Sequence, residues 1–272
     1  MKLAFVTCVQ LGKSCLEKIL DMGEKLELLI TLKDEKAKNK SGRIYLDEIA
    51  KKNKIPLLKI NNINDLEVIK ALKELNIDWL FIIGWSQIAK EELLNTPKKG
   101  CIGMHPTLLP IGRGRASIPW AIIKGLERTG VTMFKLDKGI DTGEILGQIE
   151  IILSKRITAT ELYNKVNYTH IELIEKYLKD IVNNKLDLKK QDETKATYWE
   201  GRKPEDGEIK KEMTTEEAER LVRAVTHPYP GAFYKEKNQK IIIWSSKLIK
   251  KYEKNAIKLR DGYLLPVNYE II

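Results

Sequence analysis

Along the first half of the chain, short apolar runs alternate with stretches in which apolar residues recur every three to four positions. The first pattern suits a buried strand, and the second a helix with one buried face. Lys2 to Thr7 reads as a strand, and Leu11 to Met22 as a helix with Leu16, Ile19 and Leu20 on one side. Leu26 to Leu32 is a second buried strand, followed by a polar, lysine-rich loop from Lys33 to Ser41 and a helix over roughly Ile44 to Asn53. Pro56 opens a strand at Leu57 to Ile60, and Asp65 stands at the N-cap of a helix reaching about Leu75. Ile77 to Ile83 and Cys101 to Met104 are further strands.

Parallel neighbours need a crossover, and helices of about ten residues between strands supply one. The pattern therefore predicts a doubly wound, mostly parallel α/β sheet with right-handed crossovers. Ligands in such sheets bind beyond the carboxyl ends of the strands, so the segments after Ile83 and Met104 are where to look. Val131 to Leu136 and Gly143 to Leu153 read as strands, and Thr158 to Asn184 as a long helix with Leu162, Val166, Ile174, Leu178 and Ile181 on its buried face. A polar stretch from Lys185 to Glu208 reads as a linker. Beyond it, Thr214 and Glu217 fit a capping box for a helix to about Thr226, with short strands after it. The expected division is a catalytic α/β domain over 1–184, a linker over 185–208 and a small β-rich (α+β) subdomain over 209–272.

Composition changes this picture little. A 43% hydrophobic fraction in 272 residues is enough for a packed core. Lys+Arg exceed Asp+Glu by 48 − 38 = 10, but many of the lysines, such as Lys51, Lys52, Lys54, Lys70 and Lys73, fall on helices as a solvated surface would have them. The excess is compatible with nucleic acid or small anions and demands neither. Cys8, Cys15 and Cys101 lack CxxC spacing and sit in apolar stretches, as buried reduced thiols do. With no membrane-length apolar run and no leader pattern ahead of the first strand, the expectation is a cytoplasmic chain with no metal and no membrane partner.

The chemistry concentrates in two segments. GCIGMHPTLLPIGRGR, residues 100–115, puts His105 on a loop directly after a strand. LDKGIDTGEI, residues 136–145, puts Asp141 in a glycine-flanked turn. A histidine acting as a base or charge stabiliser needs an orienting partner, and a carboxylate supplies one. From the residues alone, His105 fits a structural capping role equally well.

The run HPTLLPIGRGRASIPWAIIKGLERTGVTMFKLDKGIDTGEILGQ resembles the folate-dependent formyltransferases, which include sugar N-formyltransferases and methionyl-tRNA formyltransferases. The family's histidine, SLLP, RG, TGVT and DxGxDxGxI elements correspond to His105, Thr107 to Pro110, Arg113-Gly114, Thr129 to Thr132 and Asp137 to Ile145. Arg202 to Ile209 and Leu221 to Phe233 resemble the start of the family's C-terminal domain.

The resemblance implies a Rossmann-like formyltransferase fold and formyl transfer from 10-formyltetrahydrofolate to a primary amine. His105 and Asp141 would then be catalytic. The family's third catalytic residue is an asparagine, and Gly103 stands in its place here. Losing one such oxyanion donor elsewhere costs roughly 10²–10³ in rate. The expectation is therefore that His105, held by Asp141, becomes the main donor, helped by a water or backbone N–H in the space Gly103 opens. The resemblance further implies a folate site formed by Gly84, Trp85, Ser86, Gln87 and Ile88 with Leu108, Leu109 and the turn of Lys138, Gly139 and Ile140. Trp85, Leu108 and Leu109 fit core packing equally well. Arg113 and Arg115 suit an acceptor phosphate or a solvated surface. His170 reads as structural and His227 as a helix-end residue.

The short loop from Leu32 to Ser41, which has no arginine, and the trimmed tail favour a nucleotide-linked amino sugar over methionyl-tRNA as acceptor. The net charge of +10 is the argument for tRNA. A binding module without catalysis is the third reading, given Gly103. The stretch Phe233 to Trp244 offers an edge through which a homodimer could form.

Overall fold

Every residue of β1 (Leu3–Val6) is buried, which requires a strand on each side and cover on both faces. The flanking strands are β2 (Leu26–Leu32) and β4 (Trp79–Ile82), both parallel to β1. β3 (Leu57–Ile60) and β5 (Gly100–His105) extend the parallel sheet outward. After the two-residue strand β6 (Arg113–Gly114), β7 (Arg128–Lys135) runs antiparallel to β5, and β8 (Ile145–Ile152) completes the order β3-β2-β1-β4-β5-β7-β8. This is the mostly parallel α/β sheet the sequence predicts. The computed structural model describes residues 1–36, 42–236 and 239–272. Lys38 and Lys40 of the lysine-rich loop lie outside the described residues.

The alternation along β1 divides the core. Ala4 and Val6 join Leu28, Ile30, Leu80 and Ile82 in a cluster completed by Val68 and Leu72 of α3 (Leu66–Glu74). Phe5 stacks on Phe81, with ring centroids 5.9 Å apart. The chain winds away from β1 in both directions, so the carboxyl ends of β1 and β4 flank the crevice where the strand order reverses. Helices α1 (Gln10–Asp21) and α2 (Asp47–Asn53) fall on predicted segments, whereas α4 (Glu91–Leu94) and α5 (Ser117–Ile123) carry no periodic signal long enough to read. Asp65 occupies the N-cap of α3, but its carboxylate accepts from the Asn62 amide, 2.9 Å away, instead of a helix amide.

The chain forms two compact units. One comprises residues 1–113, 130–150 and 166–198, and the other residues 114–129, 151–165 and 199–272. The first holds the crevice and most of α6 (Ala159–Val182). The polar stretch expected as a linker is structured: Gln191, Glu193 and Thr197 all bond to the 112–113 segment, and Tyr198, opening β9 (Tyr198–Trp199), bonds to Arg113. Sequence polarity there reflects hydrogen bonding within the fold as well as solvent.

In the second unit, α7 (Thr215–Val225) carries the predicted capping box. Thr214 Oγ1 accepts from the Glu217 amide at 3.1 Å, and the Glu217 carboxylate accepts from the Thr214 amide at 2.8 Å. α7 packs beside α5 and over a four-stranded sheet of β10 (Ala232–Glu236), β11 (Gln239–Ile249), β13 (Tyr263–Ile271) and β12 (Ile257–Lys258), in that order. β11 is therefore an internal strand, which corrects the reading of Phe233 to Trp244 as one exposed edge. β10 is the edge, and the Ile209 amide already bonds the Phe233 carbonyl at 2.7 Å. Lys237 and Asn238 of that stretch lie outside the described residues. His227 lies past the end of α7 and stacks on Trp244, with ring centroids 4.0 Å apart.

Candidate active site

β5 is buried along its length and delivers His105 at its carboxyl end, the residue 7% exposed. Nε2 of that ring lies 2.8 Å from the Gly112 carbonyl oxygen. A carbonyl only accepts, so Nε2 carries a proton, and in the neutral tautomer the lone pair lies on Nδ1. Nδ1 lies 3.5 Å from Asp141 Oδ2. The fold thus brings together the imidazole and carboxylate that the two sequence segments supply.

Both loops are braced by side chains. Thr132 of β7 donates its hydroxyl to the Thr107 carbonyl at 2.7 Å, and accepts from the Leu109 amide at 3.1 Å and from Gln148 Nε2 at 2.8 Å. Gln148 also donates to the Leu109 carbonyl. On the other loop, Asp137 closes the turn by accepting from the Gly139 amide and the Thr142 hydroxyl. Asp141 itself has φ of 55°, a left-handed conformation uncommon for an L-residue. Gln191 Nε2 donates to the carbonyls of Asp141 and Gly143, at 2.8 and 2.7 Å. Nothing in the local sequence marks Gln148 or Gln191. Only Thr132 carried a signal, as part of the TGVT run.

Three expectations are corrected. Gly103 does not open a space beside His105, because a Cβ built there would meet Leu136 Cδ2 at 2.7 Å. The volume is filled by a leucine side chain. Arg113 is 0% exposed, and its five guanidinium N–H groups are committed: Nε to Gln191, Nη1 to Glu193 and Tyr198, and Nη2 to Gln191 and Glu193. No donor is left for an acceptor phosphate, and Glu193 holds the guanidinium pKa above its usual value. Leu109, at 2% exposure, is a core residue with no surface to offer a ligand, whereas Leu108 remains half-buried.

The loop after β4 begins at Gly84, whose φ of 67° and approach to Val9, 2.4 Å from an ideal Cβ, both require glycine. The Gln87 side chain is structural: it accepts from the Ile63 amide and donates to the Asn61 carbonyl, tying this loop to the one after β3. Trp85 packs against Cys8 and Leu32, with its Nε1 buried and without a protein acceptor. Ser86 and Ile88 are exposed, as are Lys138, Gly139 and Ile140 on the turn before Asp141. His170 on α6 is 1% exposed, and its Nδ1 donates to the Val166 carbonyl, 2.8 Å away. Burial, aided slightly by His105, brings its pKa down to about 4. Cys8, Cys15 and Cys101 are all buried, and none of the three forms a disulfide.

In the second unit Arg115 is exposed, its amide bonded to the Trp199 carbonyl. Around it lies a cluster the sequence did not flag. The Arg202 guanidinium lies 5.0 Å from the Trp120 ring centre, the Lys124 ammonium lies 5.4 Å from the same ring, and Trp120 Nε1 donates to the Glu200 carbonyl. Among the described residues no group of three His, Cys, Asp or Glu converges as a metal site needs, and no helix is long and apolar enough to cross a membrane.

Two family models match the chain: formyl transferase over residues 11–178, and formyl transferase C-terminal domain over residues 202–267. The bifunctional polymyxin resistance protein ArnA of Wigglesworthia glossinidia brevipalpis is 36% identical over 88% of the chain, which spans only 36% of that relative's length. Methionyl-tRNA formyltransferase of Clostridioides difficile (strain 630) is 32% identical over 92% of the chain and 81% of its own. In fold, the chain is similar to an N-formyltransferase from Helicobacter canadensis solved with folinic acid and dTDP-3-aminofucose. The TM-score is 0.75 at 22% identity, covering 99% of this chain and 100% of that one.

Proposed function

The chain belongs to the formyl transferase family, and from that membership we propose that it moves a formyl group from 10-formyltetrahydrofolate to the primary amine of an acceptor. The observation that carries the reading is the approach of His105 Nδ1 to Asp141 Oδ2, 3.5 Å apart. Bound 10-formyltetrahydrofolate would supply an electrophilic formyl carbon. The chain's own residues manage the proton that must leave the attacking nitrogen. In the neutral Nε2–H tautomer, Nδ1 and the carboxylate are both acceptors for an N–H brought to them. His105 Nδ1 takes the proton while Nε2–H stays on the Gly112 carbonyl, and the Asp141 carboxylate holds the resulting imidazolium.

The residues present fit a folate. The Gly84 bend leaves no room for a Cβ, exposed Ile88 and Ile140 offer apolar surface, and the Trp85 indole N–H awaits an acceptor. Gly84 to Ile88 would hold the ring system through backbone groups, with Leu108 and the Lys138–Ile140 turn as walls.

For the acceptor, a nucleotide-linked amino sugar is the reading preferred. The fold relative from Helicobacter canadensis was solved with dTDP-3-aminofucose, and Arg115, which is exposed, suits an acceptor phosphate. The second reading, methionyl-tRNA, has the Clostridioides difficile relative and the +10 charge in its favour.

The test is release of tetrahydrofolate from 10-formyltetrahydrofolate across a panel of nucleotide-linked amino sugars and charged methionyl-tRNA. The expected result is release that depends on an amino sugar and falls by roughly 10²–10⁴ in His105→Ala or Asp141→Ala. Release dependent on methionyl-tRNA alone would reverse the order of acceptors. Tight folate binding with no turnover across the panel would sink the enzyme reading in favour of a binding module.

A further inference from the structure

Gln191 links the two loops of the reaction centre, and it does so with every hydrogen-bonding group of its amide. Both Nε2 hydrogens go to the Asp141 turn, at the carbonyls of Asp141 and Gly143. Its Oε1 accepts from Arg113 Nε at 3.1 Å and Nη2 at 2.8 Å. A flipped amide would aim its N–H groups at the guanidinium donors, so the orientation is fixed. Arg113 follows directly on Gly112, whose carbonyl accepts the hydrogen bond from His105 Nε2. One continuous path therefore runs from the Asp141 backbone through Gln191, Arg113 and one peptide unit to the His105 ring. Glu193 and Tyr198 lock the remaining face of Arg113.

We propose that Gln191 and Arg113 form a brace that sets the separation of Asp141 from His105, with Gln191 as a positioning residue for the reaction. The inference rests on the reading of those two as the reaction centre. The need for a brace follows from Asp141's left-handed backbone, a conformation that persists only where its surroundings over-determine it. Two donors from one side chain, on carbonyls either side of Thr142, do that. The brace comes from the polar stretch 185–208, far in sequence from both loops it joins. A purely structural Gln191 would change stability while leaving turnover per folded molecule alone. A brace changes turnover, since displacement of a reacting group by about 1 Å can lower rate 10²-fold.

The experiment compares wild type with Gln191→Glu and Gln191→Met in the full chain. The first keeps the acceptor for Arg113 and removes the donors to the turn. The second removes both and serves where the added charge prevents folding. The expected result is a kcat about 10- to 100-fold lower per folded molecule, with KM for 10-formyltetrahydrofolate within about twofold. Crystals of the variants are expected to show the Nδ1–Oδ2 separation opened beyond its 3.5 Å in the wild type. An unchanged separation overturns the brace, as does an unchanged kcat in an enzyme with a lowered Tm. Were the wild type to turn over no amine at all, the functional reading would fall, and the crystallographic separation would still decide the brace.

Discussion

At the scale of single residues, position 103 is decided by its neighbour. A glycine where the family has asparagine would suggest an empty place beside the histidine, but Leu136 fills it. Gly103→Asn should therefore destabilise the protein by about 1–3 kcal/mol through overpacking. Leu136→Ala in the same chain should restore part of that loss, both read by urea denaturation. A single variant as stable as wild type would mean that Leu136 moves aside freely. In the double variant turnover is the second readout. A rise supports the missing-donor argument, and unaltered turnover ends it. Arg113 teaches the same lesson from the opposite direction: an arginine in a glycine-rich loop looks like a ligand for phosphate, yet all of its donors bond within the fold.

Among elements, the loop after β5 is held to β7 and β8 by one saturated hydroxyl. Thr132 is fully buried, and its single proton and two lone pairs all have partners. Thr132→Val would strand the Leu109 amide and the Thr107 carbonyl. A loss of about 2–6 kcal/mol is expected in chemical denaturation, because unpaired buried groups each cost roughly 1–3 kcal/mol. Thr132→Ser keeps the hydroxyl and should stay within about 1 kcal/mol of wild type, the value of one buried methyl group. Equal losses in the two variants would show that packing, not hydrogen bonding, anchors the loop. The TGVT run was legible because it is local. Gln148, its partner, sits on a strand whose sequence gives no reason to prefer glutamine.

For the whole molecule, the buried histidine behind the site ties stability to pH. His170 has its pKa lowered to about 4, chiefly by burial, against an ordinary value near 6.5. Between those values the unfolded chain binds a proton that the folded chain does not. Its contribution is thus fully present above about pH 6.5 and is lost as pH falls toward 4. From pH 7.5 to 5.5 the folded state should lose about 1.4 kcal/mol on this account, within a limit of about 3 kcal/mol. His170→Asn should flatten that acid limb in denaturation curves at the two pH values. An unchanged limb would place the sensitivity elsewhere.

The sequence by itself determined the parallel sheet, its loops at the carboxyl edge, the cap of α7 and the presence of one imidazole after a strand and one carboxylate in a later turn. Each of these depends on periodicity or on a run of adjacent residues, where physical preference is local. Tertiary structure alone decided that Leu136 fills the place beside Gly103, that Leu109 and Arg113 are interior, and that the polar stretch 185–208 returns to clasp both loops. Those outcomes depend on which side chains meet across dozens of residues, and hydrogen-bond saturation and occupied volume exist only once the chain has closed on itself.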